Sequence, residues 1–450
     1  MKPQVLTQQQ ERDWEEQFSE SHAHRVARNA TTSVGIHKAA RVPEVYANTQ
    51  FSFTIDLSQG ERCDQQRSGR CWLFASLNVL RQRVIQRYNL KTWEFSQSYA
   101  MFYDKLEKAN LFFHNMLSVM DEPVEGRTMS YLLADPFDDG GQWDMFCNIV
   151  RKYGVVPKDA MPETACSRNT RELDEYLTRY IRSCALKMRR MHADGATEEE
   201  ILAATRPMLH DVYNILVTCL GEPPRKFDVI LRDKDDKVCL EGTYTPQQFF
   251  EEVIGFDLSE FISVIHAPTK DKPMGRLFTV NYLGNVVEDG FVKHLNLPIE
   301  VIKKAAIAQL SDGWPVWFGC DVGKTYDRDE GILSHNLLAI DDLFGCKIVE
   351  SMSKEEALNY YDSAMTHAMV FEGVKLDREG KPQFWKVENS WGKDHGDHNG
   401  FDIMSDQWFD AFVFQVVLNK KYLPAKTLKE SEASSPIMLE PWDPMGTLAR

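Results

Sequence analysis

Six apolar side chains, Leu173, Leu177, Ile181, Cys184, Met188 and Met191, recur at steps of four, four, three, four and three residues. An α-helix gathers such a set on one face because its turn takes about 3.6 residues, whereas a strand would scatter it over two. After Asp194-Gly195, Thr197 stands three residues before Glu200, the spacing of a capping box, and a second helical stretch runs toward Gly221. Pro207 either kinks that stretch or divides it. A helical hairpin is therefore predicted between about residues 166 and 225, ended by Pro223-Pro224. The run Asp233-Lys234-Asp235-Asp236-Lys237 reads as an exposed loop.

From about residue 310 the texture changes to short runs rich in Val, Phe and Trp, such as Val316-Trp317-Phe318 and Ala368-Met369-Val370-Phe371, which read as strands. Helices first and strands later give an α+β class. Trp14 and Phe18, at helical spacing, predict a helix near the start, and the polar stretch Arg28-Asn29-Ala30-Thr31-Thr32-Ser33 predicts a surface-hugging arm. At 450 residues the chain exceeds what one hydrophobic core serves, so two or more packed subdomains are expected.

The formal net charge of -15 opposes a phosphate backbone, so nucleic acid is an unlikely partner. The first residues, Met1-Lys2-Pro3-Gln4-Val5-Leu6-Thr7, lack the apolar stretch of a secretory signal, and no run of 18 apolar residues predicts a membrane span. The expectation is a soluble, cytoplasmic protein. The 9 cysteines are irregularly spaced and include no C-x-x-C pair, which fits free thiols in a reducing compartment. His395 and His398 lack a third ligand at suitable spacing, so they read as an exposed loop, with no metal or cofactor expected.

Leu73, Leu77, Leu80 and Val84 lie on one face of a predicted helix whose first turn holds Cys71. A helix start favours a thiolate through its dipole and free N–H groups, although a single cysteine is most often a small buried hydrophobe. Context decides. The segment Gln65-Gln66-Arg67-Ser68-Gly69-Arg70-Cys71-Trp72 resembles the nucleophile segment of the papain family. His367-Ala368 resembles its histidine dipeptide, and Asn389-Ser390-Trp391-Gly392 its asparagine motif. The resemblance implies Cys71 as nucleophile, His367 as base, Asn389 as the residue that orients the base, and Gln65 as an oxyanion donor beside the Cys71 backbone N–H. Trp391 would shield the His–Asn bond, and Gly140-Gly141 would line the cleft and bind substrate backbone.

Cys71 and His367 stand 296 positions apart, against roughly 130–150 in papain-type signatures, so a large insertion must intervene. Ser68-Gly69-Arg70-Cys71-Trp72, Gly140-Gly141-Gln142-Trp143-Asp144, Trp317-Phe318-Gly319-Cys320-Asp321-Val322-Gly323 and Trp442-Asp443-Pro444-Met445-Gly446 are similar to the bleomycin hydrolase branch of that family. Ser68 stands where secreted members carry a disulfide cysteine.

The likeness implies a cytosolic cysteine aminopeptidase acting on peptides with a free N-terminus, and on related amides such as that of bleomycin. It also implies a homohexamer and a C-terminal tail lying in the cleft, with Ala449 and Arg450 at the substrate and Arg450 open to self-removal. The implied papain-like division is an N-terminal arm (1–60), a helical subdomain with the nucleophile (61–165), a helical insertion (166–290), a β-rich subdomain with His and Asn (291–425) and the docking tail (426–450). The insertion's apolar stripe is expected to be buried in subunit contacts. An acyltransferase of similar fold and an inactive scaffold remain as alternatives.

Overall fold

The computed structural model describes residues 3–57 and 60–449, the side chains of Glu350 and Ala449 excepted. A 12-stranded sheet forms the spine. Along it run Ile437–Leu439, Leu277–Val280, Lys293–Asn296, Phe261–Ile265, Val413–Asn419, Val316–Cys320, His367–Leu376, Pro382–Glu388, Phe401–Ser405, Ile332–Leu333 and Tyr326–Asp327, with Ile55–Asp56 paired to the side of His367–Leu376. Period-two alternation divides its central strands between two cores. Trp317, Ala368, Val370 and Phe414 belong to a core shared with the helices. Val316, Phe318, Met369 and Phe371 belong to a second core closed by Ile302, Ala305, Ala306 and Leu310 of the helix Ile299–Ser311. The α+β class holds, and the described residues form two large hydrophobic cores and a smaller third one.

The helix Cys71–Tyr88 starts at the cysteine itself. Leu73, Leu77, Leu80 and Val84 are fully buried, but so are Phe74, Val79, Arg81 and Gln82, so this is a central helix rather than one with a single inner face. One of its buried polar side chains is tied across the fold: Arg81 Nη2 donates to both carboxylate oxygens of Glu388, at 2.6 and 2.9 Å. That pair joins the nucleophile helix to the strand leading into Asn389.

The hairpin predicted at 166–225 forms as helices Arg171–Ala193 and Glu198–Leu220, the second opened by the Thr197/Glu200 capping box. Pro207 lies inside the second helix without dividing it. One expectation fails here. The stripe Leu173, Leu177, Ile181, Cys184 and Met188 is buried in the chain's own helical core, so it calls for no second subunit. The long helices of 166–290 end at Leu220, and only short helical turns such as Pro246–Gln248 and Phe249–Ile254 follow. Beyond Leu220 lie a β-hairpin, Phe227–Arg232 with Val238–Tyr244, and the strands Phe261–Ile265 and Leu277–Val280 of the central sheet. The charged run 233–237 is the hairpin's turn, held by Asp233 Oδ1, which accepts from the N–H groups of Asp235 and Lys237 at 2.9 Å.

The polar stretch 28–33 is helical too, within His22–Val34. Thr32 and Ser33 hydroxyls donate to the carbonyls of Arg28 and Asn29 four residues back, both at 2.7 Å, so small polar residues are accommodated inside that helix. Neither Gln8–Glu20 nor His22–Val34 buries a residue. His22–Val34 touches the body beside Ile340–Phe344 and Gly345, and apolar packing follows further on, where Val45, Tyr46, Phe51 and Phe53 pack on Ile332, Leu337 and Ile403. Among the described residues, no helix is long and apolar enough to cross a membrane.

Candidate active site

Cys71 is the first residue of its helix, and Arg70 before it offers no side-chain cap; the Arg70 carbonyl takes the N–H groups of Leu73 and Phe74, while those of Cys71 and Trp72 act on the thiol. Burial pushes the thiol up to about 11, while the backbone N–H groups of Ala368, Trp72 and Cys71 itself pull the other way. Ala368 follows His367, which opens the strand His367–Leu376. The fold therefore brings the helix start and the strand start together across 296 positions of sequence.

His367 Nε2 meets Asn389 Oδ1 at 2.9 Å, which leaves Nδ1 as the ring nitrogen for exchange with the thiol. Burial lowers the imidazole to about 4 against the raising effect of the Asn389 bond. A buried site that penalises each charge separately still admits a thiolate–imidazolium pair, because the proton passes between neighbours and the site stays neutral. The Trp391 ring centroid lies 5.0 Å from that of the imidazole.

Gln65 is buried and oriented from both ends of its amide. Oε1 accepts the Ser390 hydroxyl, and Nε2 donates one N–H to Ser68 O at 2.6 Å, which leaves its second N–H for another acceptor. The backbone stitches this segment to the asparagine motif: Gln65 N–H donates to Ser390 O at 2.8 Å and Gly392 N–H to Cys63 O at 3.0 Å. On the far side, Gly69 N–H donates to Asp139 Oδ2 at 2.8 Å, and Arg70 pairs with Glu163 at 3.0 Å and donates to Ser167 O at 2.7 Å. Here, at the stretch where the resembling secreted enzymes carry a disulfide cysteine, ionic and hydrogen-bonded ties hold the loop.

Gly140 and Gly141 lie beside Trp72. A β-carbon on Gly141 would fall 2.3–2.5 Å from three indole atoms, so glycine is required there by the packing of Trp72 as well as by access. Lys108 donates to the carbonyls of Asp138 and Gly140 and so clamps the turn from beneath. Gly141 N–H donates to Leu448 O at 3.2 Å, and Gln142 Nε2 to Met445 O at 3.3 Å. The tail thus lies on the glycine pair. Thr447 Oγ1 donates to Met365 O at 2.8 Å, two residues before His367, while Met445 and Leu448 are buried. Backbone of Ala449 ends the turn Pro444–Ala449, and Arg450 lies outside the described residues.

With that geometry in view, comparison with known proteins is decisive. The Peptidase C1-like family pattern matches residues 5–446. The chain belongs to this family. Among relatives of the Peptidase C1-like chain, aminopeptidase C of Streptococcus thermophilus is 44% identical over 421 residues, 94% of each chain. Bleomycin hydrolase of Gallus gallus is 42% identical over 393 residues, 86% of each. The crystal structure of PepW from Lactobacillus rhamnosis superposes with a TM-score of 0.95 at 43% identity, covering 98% of this chain and 99% of that one. The fold is therefore papain-like, and the likeness to bleomycin hydrolase read from the motifs holds.

Sequence reasoning missed part of this site. His395, read as an exposed loop residue, is half-buried against Tyr326 O–H at 2.5 Å, and its Nε2 lies 3.2 Å from Asp402 Oδ1. His398 stacks on Phe51 with ring centroids 4.0 Å apart. Asp402 and Tyr326 carry no motif and sit 13 and 63 positions from Asn389 in sequence, so only the fold shows their proximity.

Proposed function

We propose that the chain is a cysteine aminopeptidase of the bleomycin hydrolase type, in which Cys71, His367, Asn389 and Gln65 carry the reaction. The observation that supports this reading most is the tail. Leu448 O sits on Gly141 N–H, the position at which papain-like enzymes bind substrate backbone, so the chain's own end fills the cleft on one side of Cys71. Only a short piece of substrate then fits before the scissile bond. The likeness to bleomycin hydrolase implies that the end of the tail reads the free ammonium of such a piece through a charge-assisted contact, which an acetylated N-terminus cannot make.

In the reaction the Cys71 thiolate attacks the carbonyl carbon, and the developing oxyanion takes the Cys71 backbone N–H and the second N–H of Gln65 Nε2. His367 gives its proton to the leaving amine as the C–N bond breaks. It then takes a proton from water, which attacks the thioester and releases the N-terminal residue and the thiol. Asn389 keeps the imidazole in plane, and Trp391 keeps water from the bond between them. Gly141 N–H, held by Leu448 O, seats the tail where the backbone of a longer substrate would bind.

The reading extends to a cytoplasmic location, consistent with the absence of cysteine pairing among the described residues. It extends also to the hexamer of the bleomycin hydrolase branch. Support for assembly comes from the N-terminal helices, which leave Trp14, Phe18, Val26 and Val34 exposed. Light scattering is expected to return a particle of several chains, and a mass of 51.9 kDa at micromolar concentration would exclude assembly. Comparison of free and N-acetylated aminoacyl substrates tests the aminopeptidase reading itself.

A further inference from the structure

Asp402 is a fully buried carboxylate in the strand Phe401–Ser405, where its neighbours Phe401, Ile403 and Met404 are apolar. Burying a charge in a strand is costly unless donors surround it. Here they do. Oδ2 accepts Asn389 Nδ2–H at 3.0 Å and Tyr326 O–H at 2.9 Å, and Oδ1 lies 3.2 Å from His395 Nε2. Space for Oδ1 is left by Gly331, with φ +69°, where a β-carbon would come within 2.9 Å of that oxygen. Burial, with the Asp402 charge beside it, pushes the Tyr326 phenol far above its usual range, so it stays a donor.

We propose that Asp402 is a positioning residue of the active site, fixing the Asn389 amide with its oxygen toward His367 and favouring the imidazolium through its charge. The inference rests on the assignment of Cys71 and His367 made above. An asparagine amide can sit in two orientations, and each end of this one meets a group that admits only one. Ser390 N–H, which can only donate, reaches Oδ1 at 2.8 Å, and the Asp402 carboxylate, which accepts, faces Nδ2. Asn389 Oδ1 can therefore only accept from His367 Nε2, so that nitrogen carries the hydrogen. In the neutral ring Nδ1 is then the bare base. The chain of hydrogen bonds runs Asp402, Asn389, His367, one step beyond the pair read from sequence, and ends on the imidazole assigned above as the partner of Cys71.

The charge has a direction as well. Asp402 raises the proton affinity of His367, whereas Arg328 and His395 lower it. From the other side, Cys71 faces Asp139 and Cys320. Removing the negative charge of Asp402 makes imidazolium less favourable and thiolate slightly more so. Both limbs of the pH profile then move to lower pH, and the alkaline limb, set by loss of the imidazolium proton, moves further because Asp402 lies nearer His367.

The test compares full-length wild type with Asp402→Asn and His395→Gln. It records kcat/KM against pH on an aminoacyl arylamide with a free amine, and the pH dependence of Cys71 alkylation by iodoacetamide. In Asp402→Asn the alkaline limb is expected to fall by about one pH unit with KM nearly unchanged, since the isosteric amide oxygen can still accept from Asn389. His395→Gln, which keeps the carboxylate, is expected to leave that limb unlowered. Asp402→Leu, suited to a buried strand, supplies the same shift if the Asn variant does not fold, and adds a loss of kcat because the amide loses its anchor. A profile of the folded variant that superimposes on wild type overturns the proposal, as does His395→Gln reproducing the shift. If wild type shows no selective alkylation of Cys71, the assignment of the nucleophile falls and this inference with it. Selective alkylation in wild type with coincident variant curves removes only the role of Asp402.

Discussion

Replacing Cys71 by Ala is expected to lower kcat/KM by on the order of 10⁴-fold or more while the protein stays folded. Other groups of the site cannot substitute for the missing atom, because attack, thioester formation and its hydrolysis all pass through the sulfur. The fold is indifferent to the change. The helix Cys71–Tyr88 is held by Leu73, Leu77, Leu80 and Val84, each at most 1% exposed, and by the Arg81–Glu388 pair. Removing one small buried thiol costs little beside those contacts. Steady-state kinetics together with a thermal melt check both halves: activity above a few per cent of wild type would mean that Cys71 is not the nucleophile.

Gly141→Ala is expected to be the most damaging single methyl group near the site. Its β-carbon would lie 2.3 Å from Trp72 Cε2, a contact that neither partner can relieve locally. Trp72 is fully buried, and its indole N–H donates to Asp139 O at 2.6 Å, so moving the ring breaks that bond. Moving the Gly141 backbone instead breaks its bond to Leu448 O and shifts the seat of the tail. Overpacking of this kind costs about 1–3 kcal/mol of stability, and a displacement near 1 Å beside a reacting centre can cost roughly 100-fold in rate. A variant that melts and turns over like wild type would show that the glycine pair tolerates a side chain and that its packing on Trp72 is not what positions the cleft.

What was legible in sequence was local. The start of the nucleophile helix at Cys71, the opening of a strand at His367 and the Thr197/Glu200 box are all settled within a few residues, and the structure has each in place. What was hidden depends on distant partners. The strand Phe261–Ile265 is a short apolar run, and only its pairing with Val413–Asn419 distinguishes it from a helical fragment. The apolar stripe at 173–188 is compatible with any hydrophobic neighbour, and periodicity cannot say that the neighbour belongs to the same chain. Asp402 is the sharpest case. A single Asp among apolar residues reads as an edge position, and its donors arrive from Tyr326, 76 positions earlier, and from Asn389.

The tail joins these threads, since it reaches the glycine pair through contacts such as Gln142 to Met445, 303 positions apart. If it closes the cleft, the enzyme recognises its substrate by the free amine. The direct measurement is kcat/KM for one aminoacyl arylamide and for its N-acetylated form on the full-length protein at neutral pH. Loss of a charge-assisted contact together with steric exclusion by the tail predicts a fall of at least about 100-fold on acetylation. Equal rates for the two substrates would contradict the account, because a cleft that admits a blocked terminus is not closed by the tail and the enzyme would be no aminopeptidase.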